Sequence, residues 1–165
     1  MMTTVGKSRK VALAFSIISF LILLLSYYLG ESFTNQYLYT FSGYHINYYL
    51  WGLTSFSPFN SGSSYWWDTG LKNVINYMVF SFALFLLATV SAGTSTLLLA
   101  LDFKSSAKVN SVIGGLAVLG TIYFFYEGMN EMIKNNYILS YSFSFGFYLL
   151  IISMILNFLS ATFTD

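Results

Sequence analysis

Residues 11–30 read VALAFSIISFLILLLSYYLG, a stretch without a single charged side chain. A helix needs about 20 apolar residues to cross the hydrocarbon layer of a bilayer. Three further uncharged stretches lie between Lys72 and Asp102, between Lys108 and Glu127, and between Lys134 and Asp165. We expect helices in all four, because a lone strand cannot satisfy its backbone in lipid. The sequence therefore predicts four transmembrane helices, over 11–30, 74–101, 109–127 and 144–163, in a single domain that comprises residues 1–165.

The composition indicates the same class of protein. Only 8% of the residues are charged, whereas 56% are hydrophobic and 21% are aromatic. A soluble domain usually carries about 25% charged residues, so we expect membrane lipids to cover much of this chain. The formal net charge of +1 indicates no nucleic-acid partner. The chain has no cysteine, which excludes disulfides and thiolate metal sites.

The positions of the lysines and arginines predict an orientation. Lys7, Arg9 and Lys10 precede the first span, and Lys104 and Lys108 lie between the second and the third. Positive residues mark the cytoplasmic side. We therefore expect a multi-pass protein of the cell membrane with both termini in the cytoplasm. The first span is expected to be an uncleaved anchor, because its apolar run exceeds the roughly 7–15 residues of a signal-peptide core.

The first outer loop, residues 31–71, is rich in Tyr, Phe, Trp, Ser and Gly and carries almost no charge. It is too long for an unstructured connection in a compact protein, and Tyr and Trp favour strands that pack on a surface. Residues 137–148, YILSYSFSFGFY, alternate with period two, which is typical of a strand. The predicted fold is an all-α membrane protein. Its four-helix bundle carries a small extracellular β-sheet, formed by the first outer loop and by the start of the fourth span before Gly146.

Small residues indicate how the helices pack. Ala88 and Ala92 in the second span, and Ser111 and Gly115 in the third, have the small-xxx-small spacing that allows close approach in lipid, and Gly120 follows. We expect the second and third helices to be antiparallel neighbours, with a subunit interface as the alternative. Asn157, deep in the fourth span, is expected to form a hydrogen bond across helices, worth about 0.6–2 kcal/mol.

The ionisable residues indicate no active site. Apart from Glu127 at the very end of the third, no Asp, Glu, Lys, Arg or His lies inside a predicted span, which argues against pumps and ion-coupled transporters. His45 is the only histidine, and one imidazole supplies neither a pair of haem ligands nor a zinc site. We therefore predict no catalytic residue, no metal site, no cofactor and no enzymatic activity. Glu131 and Lys134 are expected to pair at a solvated helix end, with a role in cation steering or partner docking as the alternative.

The aromatic residues of the outer loop are the stronger functional indication. Aromatic side chains are enriched at protein interfaces, where they bury large areas. Part of the set is expected to form the core of the loop itself or to lie at the headgroup level, and part is expected to contact another protein. The residues are Tyr48, Tyr49, Trp51, Phe56, Phe59, Tyr65, Trp66 and Trp67.

Two segments resemble the claudin, peripheral-myelin-protein and stargazin-type superfamily of four-span proteins. Trp51-Gly52-Leu53 is similar to the family's Trp and Gly-Leu-Trp signature, and residues 141–150, YSFSFGFYLL, are similar to the start of the fourth span in stargazin-type subunits. Thr54 stands where the signature has a second Trp, and the family's two cysteines are missing. The resemblance implies a bundle capped by a five-stranded sheet whose fifth strand leads into the fourth helix. It also implies roles in adhesion or as an auxiliary subunit, without catalysis.

Three functions are compatible with the sequence. The first is a non-enzymatic assembly or auxiliary subunit, or a self-associating envelope component, whose partners are other membrane proteins or further copies of the chain. The second is a passive channel or carrier for an uncharged solute or a quinone-like lipid, with a polar path lined by Ser81, Thr89, Ser95 and Thr121. The third is a small redox subunit, which would require a cofactor that the sequence has few residues to ligate.

Overall fold

The computed structural model of the chain describes residues 3–28, 34–38, 44–56, 61–138 and 140–164. The helices are α1 (Thr3–Tyr28), α2 (Lys72–Ala100), α3 (Lys104–Lys134) and α4 (Phe145–Thr162), and a 3-10 turn covers Trp66–Asp68. The strands are β1 (Thr34–Leu38), β2 (Tyr44–Tyr48), β3 (Gly52–Phe56), β4 (Ser61–Tyr65) and β5 (Ser142–Phe143). All four helices are long and apolar enough to cross a membrane.

The third helix extends beyond the uncharged stretch from which it was predicted. α3 covers 104–134, whereas the predicted span covers 109–127. Charged side chains near the ends of a helix can extend to solvent while the backbone stays hydrogen-bonded. The helix therefore continues through the charged residues on both sides of the uncharged stretch. Lys104 and Lys108 therefore lie in the first turns of α3, and only residues 101–103 connect it to α2. Asp102, in this tight turn, has a positive φ of 70°.

The four helices form an up-down-up-down bundle. Each helix contacts the next along the chain, and α4 packs back against α1. Ser81 Oγ in α2 donates to the Thr121 carbonyl of α3 at 2.9 Å, whereas Ser95 Oγ lies 2.6 Å from Ser111 Oγ. The partner numbers fall as the residue numbers rise, so α2 and α3 are antiparallel neighbours, as expected.

The start of α1 is tied to the ends of two other helices. Arg9 Nε donates to the Leu99 carbonyl at 2.9 Å, and Arg9 Nη1 forms an ion pair with Asp102 at 3.0 Å. Ser8 Oγ donates to the Phe163 carbonyl at 2.6 Å. The last carbonyls of a helix have no partner within the helix, so these contacts satisfy groups that water would otherwise solvate. The basic residue also complements the negative end of the α2 dipole.

The sheet caps the opposite end of the bundle. Its strands follow the order β4-β3-β2-β1-β5, and every neighbouring pair is antiparallel. The pairing of Thr34 with Phe143 joins β5 to β1, which confirms the prediction that the start of the fourth span enters the sheet. Tyr48 and Trp66 share one hydrophobic core with Val74 of α2, so the sheet is packed onto the helices.

The bundle buries hydroxyl groups and exposes large apolar side chains. Val90 and Leu97 are each 65% exposed and Phe80 is 60% exposed. The buried polar residues of the helices include Ser16, Ser19, Ser81, Ser91, Ser95, Ser111, Thr121, Ser153, Asn157 and Ser160. In water such an apolar exterior would be costly, whereas helices in lipid associate through small and hydroxyl-bearing residues.

Candidate functional site

The predicted aromatic set divides into two groups, and the first lies in the core between the sheet and the helices. Tyr48 and Trp66 are each 1% exposed and stack with their ring centroids 6.1 Å apart. Trp66 Nε1 donates to the carbonyls of Tyr49 at 3.0 Å and Leu50 at 2.9 Å, which satisfies the buried indole. Burial raises the pKa of the Tyr48 phenol far above its ordinary value. These two rings hold the domain together and present no surface to a partner.

The second group is a continuous row of rings, the aromatic ladder, formed by Tyr49, Trp51, Tyr65 and Trp67. Tyr49 stacks on Trp51 with centroids 5.0 Å apart, and Trp51 meets Tyr65 edge-on at 5.7 Å. Tyr65 stacks on Trp67 at 4.7 Å with an interplanar angle of 6°. Tyr65 is 50% exposed and Trp67 is 52% exposed. The ladder therefore combines a large accessible apolar area with rings that hold one another in place.

Strand register places Tyr48 and Tyr65 on opposite faces of the sheet. Tyr48 pairs with Leu53, Gly52 pairs with Tyr65, and successive residues of a strand point to opposite faces. Gly52 and Tyr49 exchange two backbone hydrogen bonds, of 2.7 and 3.3 Å, which close the β2–β3 hairpin. A Cβ on Gly52 would lie 2.2 Å from the Ser64 carbonyl oxygen. Only glycine allows β3 and β4 to approach this closely.

Two members of the predicted set are not placed. The backbone of Phe56 belongs to β3, but its side chain is outside what the structure describes, and Phe59 lies outside the described residues. The side chain of His45 is likewise not described.

The predicted helix-packing residues lie at helix contacts. Ala88, Ala92 and Ser111 are fully buried. A Cβ on Gly120 would lie 2.8 Å from Leu84 of α2, but one on Gly115 would meet the Phe158 ring of α4 at 2.8 Å. The face that carries Ser111 and Gly115 therefore points between α2 and α4, and not at α2 alone.

A buried polar cluster links α1 and α4, and Asn157 is at its centre. Asn157 Nδ2 donates to Ser19 Oγ at 2.9 Å, which confirms the predicted hydrogen bond across helices. It also donates to the Ser153 carbonyl at 3.1 Å. Asn157 Oδ1 has no hydrogen-bond partner, and a Cβ on Gly114 would lie 3.2 Å from it. Glycine at 114 thus leaves room for the amide.

The hydroxyl groups of the predicted polar path donate hydrogen bonds to backbone carbonyls within the bundle. Ser95 Oγ donates to the Ala107 carbonyl at 3.1 Å, and Thr121 Oγ1 donates to the Ala117 carbonyl at 2.9 Å. Thr89 Oγ1 donates to the Phe85 carbonyl at 2.9 Å. Hydroxyls engaged in this way satisfy their donors inside the protein and hold helices together.

The ion pairs lie at the ends of the bundle and include Arg9 with Asp102 and Lys134 with Glu131. Within the described ranges, no group of three or more His, Cys, Asp and Glu residues could hold a metal ion. Lys134 Nζ lies 2.5 Å from Glu131 Oε1, which confirms the expected pair. The proposed absence of catalytic, metal and cofactor sites stays a prediction.

Sequence reasoning did not single out Tyr27, Ser63 and Ser64, which lie together beside the ladder. A serine in a polar loop and a tyrosine at the end of an apolar run carry no special signal on their own. Comparison with known proteins adds no assignment, because no protein-family model and no curated protein matches this chain significantly.

Proposed function

We propose that this chain is a non-enzymatic, multi-pass protein of the cell membrane that assembles with other membrane proteins, or with copies of itself, through the aromatic ladder. It needs no cofactor for this role. The observation that carries the proposal is the half-exposed, mutually stacked pair Tyr65 and Trp67 at the sheet end of the molecule.

Placement in the membrane is supported by the four apolar helices and by the charges at the two ends of the bundle. The end opposite the sheet contains five of the seven basic residues, and the sheet end contains only Lys72 and Lys134. By the positive-inside rule the sheet then faces the outside and both termini face the cytoplasm. The basic residues opposite the sheet are Lys7, Arg9, Lys10, Lys104 and Lys108.

Contact with a protein partner is more favourable for the exposed rings of the ladder than contact with water. Exposed Trp and Tyr side chains are the residues that most often dominate binding energy at interfaces. Tyr65 and Trp67 are already stacked, so binding would cost little additional side-chain entropy. No charged side chain belongs to the ladder, so the complementary surface should be apolar or aromatic.

We further propose that the likeness to the claudin and stargazin-type superfamily is one of architecture. The support is the five-stranded order β4-β3-β2-β1-β5, together with a fifth strand that ends two residues before the start of α4. An auxiliary or adhesive role, as the family implies, agrees with the proposed assembly.

The test compares complexes released gently from the native membrane, with their masses and compositions measured by native mass spectrometry. Wild type should be recovered with defined partners or as a fixed homo-oligomer, and Trp67→Ser should be recovered mainly as the monomer. Tyr137→Ser is the matched control, because Tyr137 is a 43% exposed aromatic residue at the same end and lies outside the ladder. A wild-type protein that emerges as a clean monomer would overturn the proposal, and solute-flux assays in liposomes would then be the next experiment.

A further inference from the structure

A cleft of about 310 Å³ lies where the end of α1 comes close to β4, the strand at one edge of the sheet. It is lined by Tyr27, Trp51, Ser63, Ser64 and Tyr65. This volume is at the lower end of the range for small-molecule sites, which runs from about 300 to 1,000 Å³. The cleft therefore fits a compact ligand of one or two rings.

The aromatic walls of the cleft are rigid. The Trp51 ring is backed by Tyr49, and the Tyr65 ring is backed by Trp67. The two wall rings meet edge to face, with an interplanar angle of 64°. A ligand would thus meet preformed ring surfaces and would not have to order them.

The remaining lining is polar but uncharged. Ser63 is exposed, so its hydroxyl can donate and accept hydrogen bonds, whereas Ser64 is half-buried. β4 is an edge strand, and an edge strand carries backbone N–H and C=O groups that the sheet does not pair. None of the described residues that line the cleft is charged.

From this lining we propose that the cleft binds a neutral sugar residue. A pyranose ring has C–H groups that suit the aromatic wall formed by Trp51 and Tyr65, and a rim of hydroxyls that suits Ser63 and the strand edge. A phosphate would need an arginine, a lysine or a helix N-terminus. A purely apolar ligand would leave the polar groups of the edge desolvated and unpaired. This inference goes beyond the proposed assembly and does not rest on it.

Two sources of sugar are compatible with the position of the cleft. Tyr27 lies near the end of α1, one of the four membrane-crossing candidates, so the headgroup of a glycolipid in the same leaflet could reach the cleft. A soluble glycan could enter from the aqueous side. Both present the same chemistry, and the experiment separates them.

The experiment uses the full chain in nanodiscs, with binding followed by saturation-transfer NMR and by retention in native mass spectrometry. One arm offers glucosyl-diacylglycerol in phosphatidylcholine nanodiscs, against phosphatidylcholine alone. The other arm adds maltose, cellobiose or mannobiose to sugar-free nanodiscs. Binding in the first arm only identifies a lipid headgroup, and binding in the second identifies a soluble glycan. Binding in neither arm overturns the proposal.

Variants locate the site. Trp51→Leu should weaken sugar binding by at least about tenfold. Ser63→Asp, at an exposed strand position, should weaken it similarly without removing a core side chain. Tyr137→Ser is the matched control, because Tyr137 is a 43% exposed aromatic residue at the same end that neither lines the cleft nor belongs to the ladder. It should retain sugar binding. Ser63 does not belong to the ladder, so Ser63→Asp should lose sugar binding and retain assembly, and the two proposals fail independently.

Hydrogen-exchange protection of the β2 amides reports whether each variant keeps its fold. Unchanged sugar binding in a folded Ser63→Asp variant would overturn the site. So would the capture of an extended peptide along β4 that sugar does not displace.

Discussion

Replacing Gly52 by alanine should open the β3–β4 pair, because the added methyl group has no room. Its Cβ would lie 2.2 Å from the Ser64 carbonyl oxygen and 3.0 Å from Tyr65 Cα. Both atoms belong to the backbone, so no side chain can rotate away. Carbon–oxygen contacts normally settle at about 3.3–3.6 Å, so the strands must separate by about 1 Å.

That displacement sets the expected energy. It should break one or two hydrogen bonds between β3 and β4, each worth about 1 kcal/mol net. Overpacking in a close contact typically costs about 1–3 kcal/mol. We therefore expect Gly52→Ala to lower the free energy of opening of the sheet by at least about 2 kcal/mol, which corresponds to about 30-fold faster hydrogen exchange.

The assay is hydrogen-exchange mass spectrometry in nanodiscs, read on peptides that cover 52–66. Gly62→Ala is the control, because Gly62 lies in the same strand pair and its Cβ would meet only Ser55 Oγ, at 3.8 Å. The control should exchange as wild type does, or slightly more slowly, because alanine restricts the unfolded chain. Equal protection of the two variants would refute the reasoning, since the close approach at Gly52 would then carry no cost.

Three further perturbations test the bundle and the sheet domain. Asn157→Ala should destabilise the bundle by about 1–2 kcal/mol, measured by chemical denaturation in detergent. Asn157→Leu should cost less, because leucine removes the unpaired Oδ1 and leaves a smaller cavity than alanine does. A larger loss of stability for leucine would contradict this. Arg9→Lys should weaken the contact between α1 and α2 by about 1–2 kcal/mol, because a lysine cannot keep both the ion pair and the two hydrogen bonds to the carbonyls of α2. Hydrogen exchange of the 97–103 amides measures this weakening. Unchanged exchange would count against the prediction. Burial raises the pKa of Tyr141 to about 12, so its neutral form is the one that the fold favours. The resulting stabilisation is complete below about pH 10 and is lost as the pH rises towards 12. Chemical denaturation in detergent at a series of pH values should follow this loss, and Tyr141→Phe should diminish it.

The division of the aromatic set shows where sequence reasoning stops. Composition identifies the rings at 48–51 and 65–67 as a group too large for a solvated loop. The register that pairs Gly52 with Tyr65 puts Tyr48 and Tyr65 on opposite faces of the sheet. A slip of one residue would exchange the two faces, and composition alone does not specify the register.

Helix contacts show the same limit. The spacing of Ser111 and Gly115 identifies a face suited to close packing, but not the helix that it meets. In the bundle Ser111 hydrogen-bonds towards both α2 and α4, and Gly115 packs on α4. The cleft is even less predictable from the sequence, because Tyr27 and Ser63 are far apart along the chain and line the same cleft only when the sheet packs on the helices.

By itself, the sequence determined the four apolar helices, the presence of a small sheet, the strand that leads into the last helix, and the cross-helix amide at Asn157. These follow from runs of apolar residues, from period-two alternation and from the cost of burying an unpaired polar group, all of which are local properties of the chain. Only the tertiary structure decided which rings are buried, which helix each small face meets, and where a cleft forms. Those features depend on strand register and on contacts between distant segments, which are set by the packing of the whole chain.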